Sequence, residues 1–390
     1  MRTRTGLEVL CENPSRYLPG ERLGILANPA SVDSRFVHAR DRISQAFPGR
    51  VVALYAPQHG FFADKQDNMK ASDNFVDPEL GVPVFSLYGQ TRIPTPEMMA
   101  PIDTLIIDLQ DVGTRVYTFI YTMAYCLEEA RRHGKQVVVL DRPNPVGGNI
   151  VEGNLLIPEY ASFVGRFPIP MRHGLTVGEV ARLFNDHFEI GCDLTVVPME
   201  NWRRDMFFEQ TGLPWVAPSP NLPTPVSAVV YPGQVIWEGT NVSEGRGTTR
   251  PFELFGAPFI DPREITAVIG PEGLAGAVLR PVLFEPTSNK WAGQPCRGFQ
   301  IHPTEPGRFR PYSASLALLR AVLRLYPDRF AWSKEPYEYE YEKPAIDLIL
   351  GNPEIRRRLE QQEPIESLEA SWTEDLDRFS AVSREYFLYK

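Results

Sequence analysis

The sequence lacks the signature motifs of the commonest large α/β enzymes. It contains no Gly-x-Gly-x-x-Gly after a strand-like segment, and the Gly147-Gly148 pair does not have that spacing. It also contains no Gly-x-x-x-x-Gly-Lys-Ser/Thr loop, no Gly-x-Ser-x-Gly elbow and no His-Glu-x-x-His pair. Dinucleotide-dependent enzymes, P-loop NTPases, serine hydrolases of the nucleophile-elbow type and zincin-type metalloenzymes are therefore disfavoured.

Cysteine is scarce, and long apolar runs are missing. The four cysteines are far apart and form no Cys-x-x-Cys pair, so we expect reduced thiols rather than a disulfide framework. The segment after Met1 shows no apolar core of a secretory signal, and no stretch is apolar for long enough to cross a bilayer. These absences predict a cytoplasmic protein.

Positive charge is also in short supply. Lysine and arginine total 40 against 49 aspartates and glutamates, which gives a net charge of −9. Nucleic acid and anionic membranes demand a basic surface, so neither is expected as a partner. A local basic pocket for a small acidic substrate stays open, and the oligomeric state is left undetermined.

The first half of the chain alternates short apolar runs with amphipathic segments. Five runs bounded by Pro, Gly and Asp are typical of buried parallel strands, at residues 23–27, 51–55, 83–87, 104–108 and 136–140. A helix between the last two is indicated by apolar residues at helical spacing, namely Phe119, Met123, Cys126, Leu127 and Ala130. Thr176 and Glu179 form a capping-box pattern that begins another helix. The alternation predicts an α/β fold with a doubly wound, mostly parallel sheet.

The pattern changes past about residue 260. A chain of 390 residues favours two domains, so we predict a first domain over 1–260 that carries most of the site and a smaller α+β domain over 261–390. Two amphipathic helices are expected in the second domain, one through Leu319–Tyr326 and a long one through Ile365–Tyr386. The proline-rich segment 217–225 is interpreted as a rigid loop, and the Tyr-Glu alternation at 337–342 as a strand.

Polar residues gather just after the predicted strands, where open α/β sheets bind their ligands. Such segments are Gln58-His59-Gly60, Asp108 to Asp111 and Asp141 to Pro145. A further segment, 237–253, combines three carboxylates, two arginines and three glycines. Glycine admits close backbone approach to a ligand, and arginine can hold a carboxylate through two hydrogen bonds. This composition favours function over packing.

Taken in order, these segments resemble the exo-β-N-acetylmuramidase (NamZ/YbbC-type) family. The resemblance rests on Pro57-Gln58-His59-Gly60, Ser86 to Gly89, Asp108 to Thr118, Asp141 to Pro145, Glu238 to Thr248 and Tyr386 to Tyr389. It implies a Rossmann-like domain with a smaller C-terminal domain. It also implies removal of β-linked N-acetylmuramic acid from the non-reducing end of peptidoglycan fragments, a small amino-sugar or muropeptide substrate. We expect no cofactor and no metal.

The polar segments and the family pattern together predict the site. The predicted catalytic residues are Gln58, His59, Asp108, Glu238 and Glu244. The predicted substrate-binding residues are Asp111, Arg115, Tyr117, Asn144, Asn241, Arg246 and Thr248.

Position 58 departs from the family, in which many members carry Glu. Glycoside hydrolysis usually needs two carboxyl groups, and an amide supplies neither role. One interpretation is substrate-assisted catalysis, in which the 2-acetamido group attacks the anomeric carbon and Gln58 orients that group. Glu244 or Glu238 then acts as the acid with a raised pKa, and Arg246 or Arg115 binds the lactyl carboxylate.

Two other interpretations remain. The protein binds an amino-sugar ligand without efficient hydrolysis, or it is a metal-dependent hydrolase that uses His59, Asp108 and Asp111. Carboxylates with one histidine suit Mg²⁺ or Mn²⁺ better than Zn²⁺.

Overall fold

The computed structural model describes residues 1–17, 20–61, 73–270 and 274–390. In these ranges the strands are β1 (Leu23–Ala27), β2 (Val51–Ala56), β3 (Phe75–Val76), β4 (Pro83–Ser86), β5 (Thr104–Asp108), β6 (Gln136–Leu140), β7 (Glu152–Leu155), β8 (Pro170–Arg172), β9 (Asp193–Val197), β10 (Leu254–Ala257), β11 (Ala277–Phe284) and β12 (Cys296–Pro303). The α-helices there are α1 (Gly6–Glu12), α2 (Pro14–Tyr17), α3 (Ala39–Ala46), α4 (Pro96–Met99), α5 (Phe119–Arg132), α6 (Val177–Arg182), α7 (Pro225–Gln234), α8 (Pro262–Ile269), α9 (Pro311–Leu325), α10 (Ala345–Leu350), α11 (Pro353–Glu360) and α12 (Ile365–Ser383).

A seven-stranded sheet of order β3-β4-β2-β1-β5-β6-β9 forms the centre of the described chain. All neighbours pair in parallel except the edge pair β3 and β4. The five predicted strands are present as β1, β2, β4, β5 and β6, which confirms the doubly wound, mostly parallel sheet. From β1 the chain adds strands first on the β2 side and then on the β5 side, so the strand order reverses there. Ligand sites form beyond the carboxyl ends of the strands at such a point.

The helices also follow the sequence patterns. In α5 the predicted apolar residues are all buried against the sheet. Thr176 caps α6 in a capping box, with its side chain accepting from the Glu179 N–H and the Glu179 carboxylate accepting from the Thr176 N–H. The two amphipathic stripes of the C-terminal region form α9 and α12, and α12 ends at Ser383 rather than continuing to Tyr386.

The C-terminal region has a separate three-stranded antiparallel sheet of order β10-β12-β11, as expected for a smaller α+β domain. This sheet takes its edge strand β10 from residues that precede the predicted boundary at 260. That boundary stays a prediction. None of the helices in the described ranges has the length and apolar character needed to cross a bilayer.

The prediction of a strand over 337–342 was wrong. Tyr337 and Glu340 pair with each other across a tight turn, each N–H donating to the other's carbonyl at 3.2 and 3.0 Å. Glu338 and Tyr339 occupy the middle of the turn with φ of 51° and 65°. An alternating pattern marks a strand only if a neighbouring strand pairs with it, and here the segment folds back on itself instead.

Candidate active site

A small cavity lies beyond the carboxyl ends of β2 and β5, next to the C-terminal region. Its volume is about 40 Å³, which holds a few water molecules at about 10–15 Å³ each. Five of the predicted site residues line it, namely Gln58, His59, Tyr117, Glu238 and Arg246. Further polar and aromatic residues line the cavity although the sequence assigned them no role in the site; they include Thr118, Ser219, Asn221, Tyr231, Phe252, Tyr337 and Glu338.

The turn after β2 brings Gln58 and His59 to this cavity. The Gly60 N–H donates to the Pro57 carbonyl at 3.1 Å and closes the turn. His59 has a φ of 72°, a left-handed conformation that is costly for a residue other than glycine. Such conformations persist where the surrounding structure holds them, and they cluster at functional sites.

The Gln58 amide is held at both ends. Its Oε1 accepts a hydrogen bond from the Thr118 hydroxyl at 2.5 Å, and its Nε2 lies 3.3 Å from the Tyr88 hydroxyl. The same Nε2 donates to Glu338 Oε1 at 3.0 Å. A glutamine amide has two N–H groups, and both are used within the protein. This geometry favours a positioning role beside Glu338 over the expected role of orienting a substrate acetamide.

Glu338 is a carboxylate that the sequence analysis missed. It lies only 5% exposed at the cavity wall, and its Oε2 accepts from the Tyr88 hydroxyl at 2.5 Å. Burial raises the pKa of Glu338, and the negative charge of Glu238 adds to this rise against the opposing effects of Tyr88, Arg92 and Gln58. Its position in a Tyr-Glu repeat carried no functional signal, because the repeat is also typical of an exposed strand.

A cation holds the turn that carries Glu338. The Arg92 guanidinium donates to the Glu338 carbonyl at 2.9 Å. It also lies 4.0 Å from the centre of the Phe163 ring, 4.8 Å from that of Tyr339 and 5.6 Å from that of Tyr88. Cation–π contacts of this kind contribute about 0.5–2 kcal/mol each, depending on how far the cation is desolvated. The turn is therefore fastened over the cavity from its outer side.

The second carboxylate at the cavity is Glu238, on the 3₁₀ helix Val235–Gly239. Arg246 donates to its Oε1 from Nη2 at 2.5 Å and from Nε at 3.2 Å. The Tyr337 hydroxyl donates to its Oε2. Tyr337 and Glu338 are neighbours in the tight turn, so this one turn touches both carboxylates of the cavity.

Glu244 differs from expectation. It does not line the cavity, and it is ion-paired with Lys290 Nζ at 2.8 Å and Arg246 Nε at 3.3 Å. Burial alone would raise its pKa, but the two cations outweigh that effect and hold the pKa below the ordinary value. The expectation of a raised pKa at Glu244 was therefore wrong. An ionised Glu244 orients Arg246 and cannot supply a proton.

Aromatic rings form the other wall of the cavity. Tyr231 packs edge-on against Tyr117 and Phe252, with ring centres 5.8 and 4.8 Å apart. The Tyr117 hydroxyl is buried and has no hydrogen-bond partner of sound geometry among the described residues, although Ser219 is its polar neighbour. Buried hydroxyls usually have a hydrogen-bond partner, so this one offers a donor and an acceptor at the cavity wall.

Three predicted site residues, Asp108, Asp111 and Arg115, lie in the structural framework rather than at the cavity. Asp108 is fully buried, and Arg142 holds both of its oxygens, one of them at 2.8 Å. Asp111 accepts from the Gly113 N–H at 2.7 Å and lies 3.6 Å from His173 Nε2.

The Arg115 guanidinium is wholly buried and donates to four backbone carbonyls, those of Asn154, Ile169, Ile349 and Leu350. The last two are the final carbonyls of α10, where the helix dipole favours a cation. Burial lowers the pKa of Arg115. With both Nη groups used by backbone carbonyls, Arg115 ties α10 to the segments around β7 and β8 and does not line the cavity. Its buried Nε has no hydrogen-bond partner among the described residues.

The remaining predicted substrate-binding residues are also engaged elsewhere. Asn144 donates to the Leu175 carbonyl at 3.0 Å and accepts from the Val146 N–H at 3.1 Å. Asn241 bridges Arg329 and Ala331. Thr248 donates to the Gly245 carbonyl at 2.5 Å, a contact within its own turn. None of the three lines the cavity, so we leave them out of the proposed site.

The described residues place no three His, Cys, Asp or Glu side chains together in a way that would hold a metal ion. Of the suggested ligands, His59 lines the cavity while Asp108 is paired with Arg142. The donor set of the metal-dependent interpretation is therefore not assembled.

Fold and site together define a Rossmann-like α/β protein with a carboxylate-bearing cavity between the parallel sheet and a smaller C-terminal domain. Residues 23–226 match the N-terminal family profile of the exo-β-N-acetylmuramidase NamZ, and residues 229–389 match its C-terminal profile. The chain belongs to this family.

Relatives match over the whole length. The chain is 42% identical over 388 residues to the peptidoglycan β-N-acetylmuramidase NamZ of Bacillus subtilis, covering 100% of this chain and 92% of the relative. A crystal structure of a DUF1343 family protein from Bacteroides fragilis is similar with a TM-score of 0.90 and 37% identity, covering 100% of this chain and 99% of the other. A second DUF1343 family protein of that organism gives a TM-score of 0.77 and 27% identity over the same shares.

Proposed function

We propose that this chain is a glycoside hydrolase that releases β-linked N-acetylmuramic acid from the non-reducing end of peptidoglycan fragments. The observation that carries the proposal is the meeting of two glutamates, Glu238 and Glu338, with Arg246 in one cavity of a chain from this family. Hydrolysis of a glycoside usually employs two carboxyl groups. The site therefore contains two carboxyl groups even though position 58 carries an amide.

Arg246 supports an acidic sugar as the substrate. Its Nε and Nη2 are bound to Glu238, while none of the described residues accepts from Nη1. The carboxylates of Glu238 and Glu244 together raise the pKa of Arg246, so it stays cationic. The lactyl carboxylate distinguishes N-acetylmuramic acid from N-acetylglucosamine, and a buried guanidinium recognises such a group well.

The size of the cavity supports action at a chain end. At about 40 Å³ the observed cavity is much smaller than the roughly 300–1,000 Å³ of ordinary ligand sites. A terminal sugar therefore enters when the Tyr337–Glu340 turn moves away, and closure of the turn then excludes water. Loop closure of this kind is common among enzymes that sequester their substrate.

The proposal extends to a cytoplasmic role in recycling cell-wall fragments in a bacterium. All four cysteines are free thiols, and three of them are buried. Reduced cysteines are typical of proteins in reducing compartments. The substrate is then a small muropeptide or amino-sugar fragment rather than the intact wall.

The test is release of nitrophenol from a chromogenic β-N-acetylmuramide, beside the matching β-N-acetylglucosaminide. We expect turnover of the muramide and at most weak turnover of the glucosaminide, because only the muramide offers a carboxylate to Arg246. The B. subtilis relative serves as the assay control. If this chain shows no turnover of the muramide but binds N-acetylmuramic acid in calorimetry, it is instead a binding protein without efficient hydrolysis.

A further inference from the structure

We propose that Glu338 is the proton donor to the glycosidic oxygen, taking the catalytic carboxyl role for which position 58 offers only an amide. This inference rests on the proposed function and deepens it. The two side chains are in direct contact, since Gln58 Nε2 donates to Glu338 Oε1 at 3.0 Å. The carboxyl therefore lies about one hydrogen bond away from the position at which many family members carry Glu.

The local backbone supports this assignment. Glu338 and Tyr339 both have positive φ, 51° and 65°, and two adjacent left-handed residues without glycine are costly. These are the φ angles of a type I′ hairpin turn, whose two central positions usually carry Asn, Asp or Gly rather than Glu and Tyr. Here it directs Glu338 inward, where it is 5% exposed, while Tyr339 faces outward against Arg92.

The surroundings of Glu338 favour its protonated form more than water does. The groups that face Glu338 are Tyr88 and Arg92 after β4, Gln58 after β2, Glu238 after α7, and its neighbour Tyr337. Burial and the charge of Glu238 together raise the pKa of Glu338 more than the other groups lower it. A general acid works best when its pKa lies near the operating pH.

Glu238 is less suited to the same role. The Arg246 guanidinium holds its Oε1 in two hydrogen bonds, and Tyr337 donates to Oε2. Both oxygens of Glu338 also accept hydrogen bonds, but their donors are a neutral amide and a hydroxyl, whereas Glu238 is bound by a guanidinium cation. Glu238 instead fixes Arg246 and balances positive charge as it develops at the anomeric carbon.

The balanced reaction has two steps. First, the carbonyl oxygen of the substrate's 2-acetamido group forms a bond to C1 while the bond from C1 to the leaving oxygen breaks, and the proton of Glu338 passes to that oxygen. Second, water adds to C1, the bond from C1 to the acetamido oxygen breaks, and the proton lost by water returns to Glu338. The substrate supplies the nucleophile, as in the substrate-assisted glycosidases.

The test compares two leaving groups. Nitrophenolate leaves without much help, whereas the sugar alcohol of a disaccharide of N-acetylmuramic acid β-linked to N-acetylglucosamine leaves only if it is protonated. For Glu338→Gln we expect kcat/KM to fall about 100-fold or more on the disaccharide, within the range for general acid catalysis, and less than about tenfold on the nitrophenyl muramide. The matched control is Glu342→Gln, an exposed carboxyl in the same segment, which should leave both values unchanged.

A further variant exchanges the two groups. In the double variant Gln58→Glu with Glu338→Gln, the carboxyl and the amide swap places across their 3.0 Å contact. We expect it to regain at least about tenfold of the disaccharide activity that Glu338→Gln loses. A residue that only maintains the fold would not show this recovery.

Each other outcome bears on a different proposal. Equal losses on both substrates, or a loss below fivefold on the disaccharide, would overturn the role of Glu338 while the wild-type activity keeps the proposed function. Inactivity of the wild-type chain on both substrates, with the B. subtilis relative active, would overturn the proposed function and this inference with it.

Discussion

Gln58→Glu places a second carboxyl group in contact with Glu338. In the wild type the Gln58 Nε2 donates to Glu338 Oε1 at 3.0 Å. In the variant an oxygen replaces this nitrogen, and the two carboxylates repel each other when both are ionised. Two unit charges about 4 Å apart repel by about 4 kcal/mol at an effective dielectric constant of about 20. One pKa unit corresponds to about 1.36 kcal/mol. The repulsion therefore raises the pKa for loss of the second proton of the pair by up to about three units.

The variant pair therefore keeps one shared proton to a higher pH than Glu338 does alone. If this proton is the one delivered to the leaving group, the alkaline limb of the profile of kcat/KM against pH moves upward by about one to three units. The assay is hydrolysis of the muramyl disaccharide between pH 4 and 9, with Gln294→Glu, the same substitution at an exposed position, as the control.

The free energy of unfolding of Gln58→Glu should depend on pH through the same shared proton. The folded pair has a pKa above that of an unfolded glutamate, about 4.3, so the folded state holds a proton that the unfolded state has already released. The stability of Gln58→Glu relative to the wild type is then highest below pH 4 and is lost as pH rises through the folded pKa, by up to about 4 kcal/mol. Thermal unfolding at pH 5 and pH 8 measures this difference. A gain in activity above about tenfold with an unshifted profile would refute the reasoning, because it would show that the wild-type site lacks its acid.

Three further substitutions test other contacts. Arg115→Met removes one hydrogen bond from each of four carbonyls and should destabilise the fold by about 2–6 kcal/mol, at about 0.5–1.5 kcal/mol for each bond lost, which thermal unfolding measures against the exposed control Arg324→Met. Arg246→Met should weaken calorimetric binding of N-acetylmuramic acid by about 10- to 100-fold, as loss of a hydrogen bond to a charged group does, while binding of N-acetylglucosamine changes less than threefold; equal losses would contradict the lactyl contact. Arg92→Met should loosen the Glu338 turn, so protease cleavage near Tyr339 becomes faster and kcat/KM falls about tenfold, in keeping with the loss of one or two cation–π contacts; unchanged cleavage would show that the turn is held by other contacts.

Much of the fold was predictable because its signals are local. The apolar runs that form β1, β2 and β5 are contiguous, and the spacing within α5 reports its buried face directly. The capping box of Thr176 and Glu179 is a pattern of four residues. In each case the physical cause, burial of one face or satisfaction of the first N–H groups of a helix, acts within a few positions of the chain.

The site was only partly predictable because its contacts are distant in sequence. Gln58 and Glu338 are separated by 280 positions, and nothing near Glu338 distinguishes it from the other glutamates of its repeat. Asp108 shows the opposite error. Its place at the end of a strand predicted a residue of the cleft, but the strand end alone does not reveal that Arg142 neutralises it. The residue types in the sequence indicated which side chains could be catalytic. Their ion pairs and hydrogen bonds in the folded chain determine which of them are free to act on a substrate.

The Arg115 guanidinium has a consequence for how the molecule is put together. Arg115 belongs to the first predicted domain, yet two of its four carbonyl partners are supplied by Ile349 and Leu350. Before α10 packs against the first domain, the Arg115 guanidinium lacks two of its four carbonyl acceptors. The two halves of the chain should consequently melt in one calorimetric transition. A fragment that ends near residue 260 would expose this unmet charge, and separately expressed halves would have to find each other before either becomes stable.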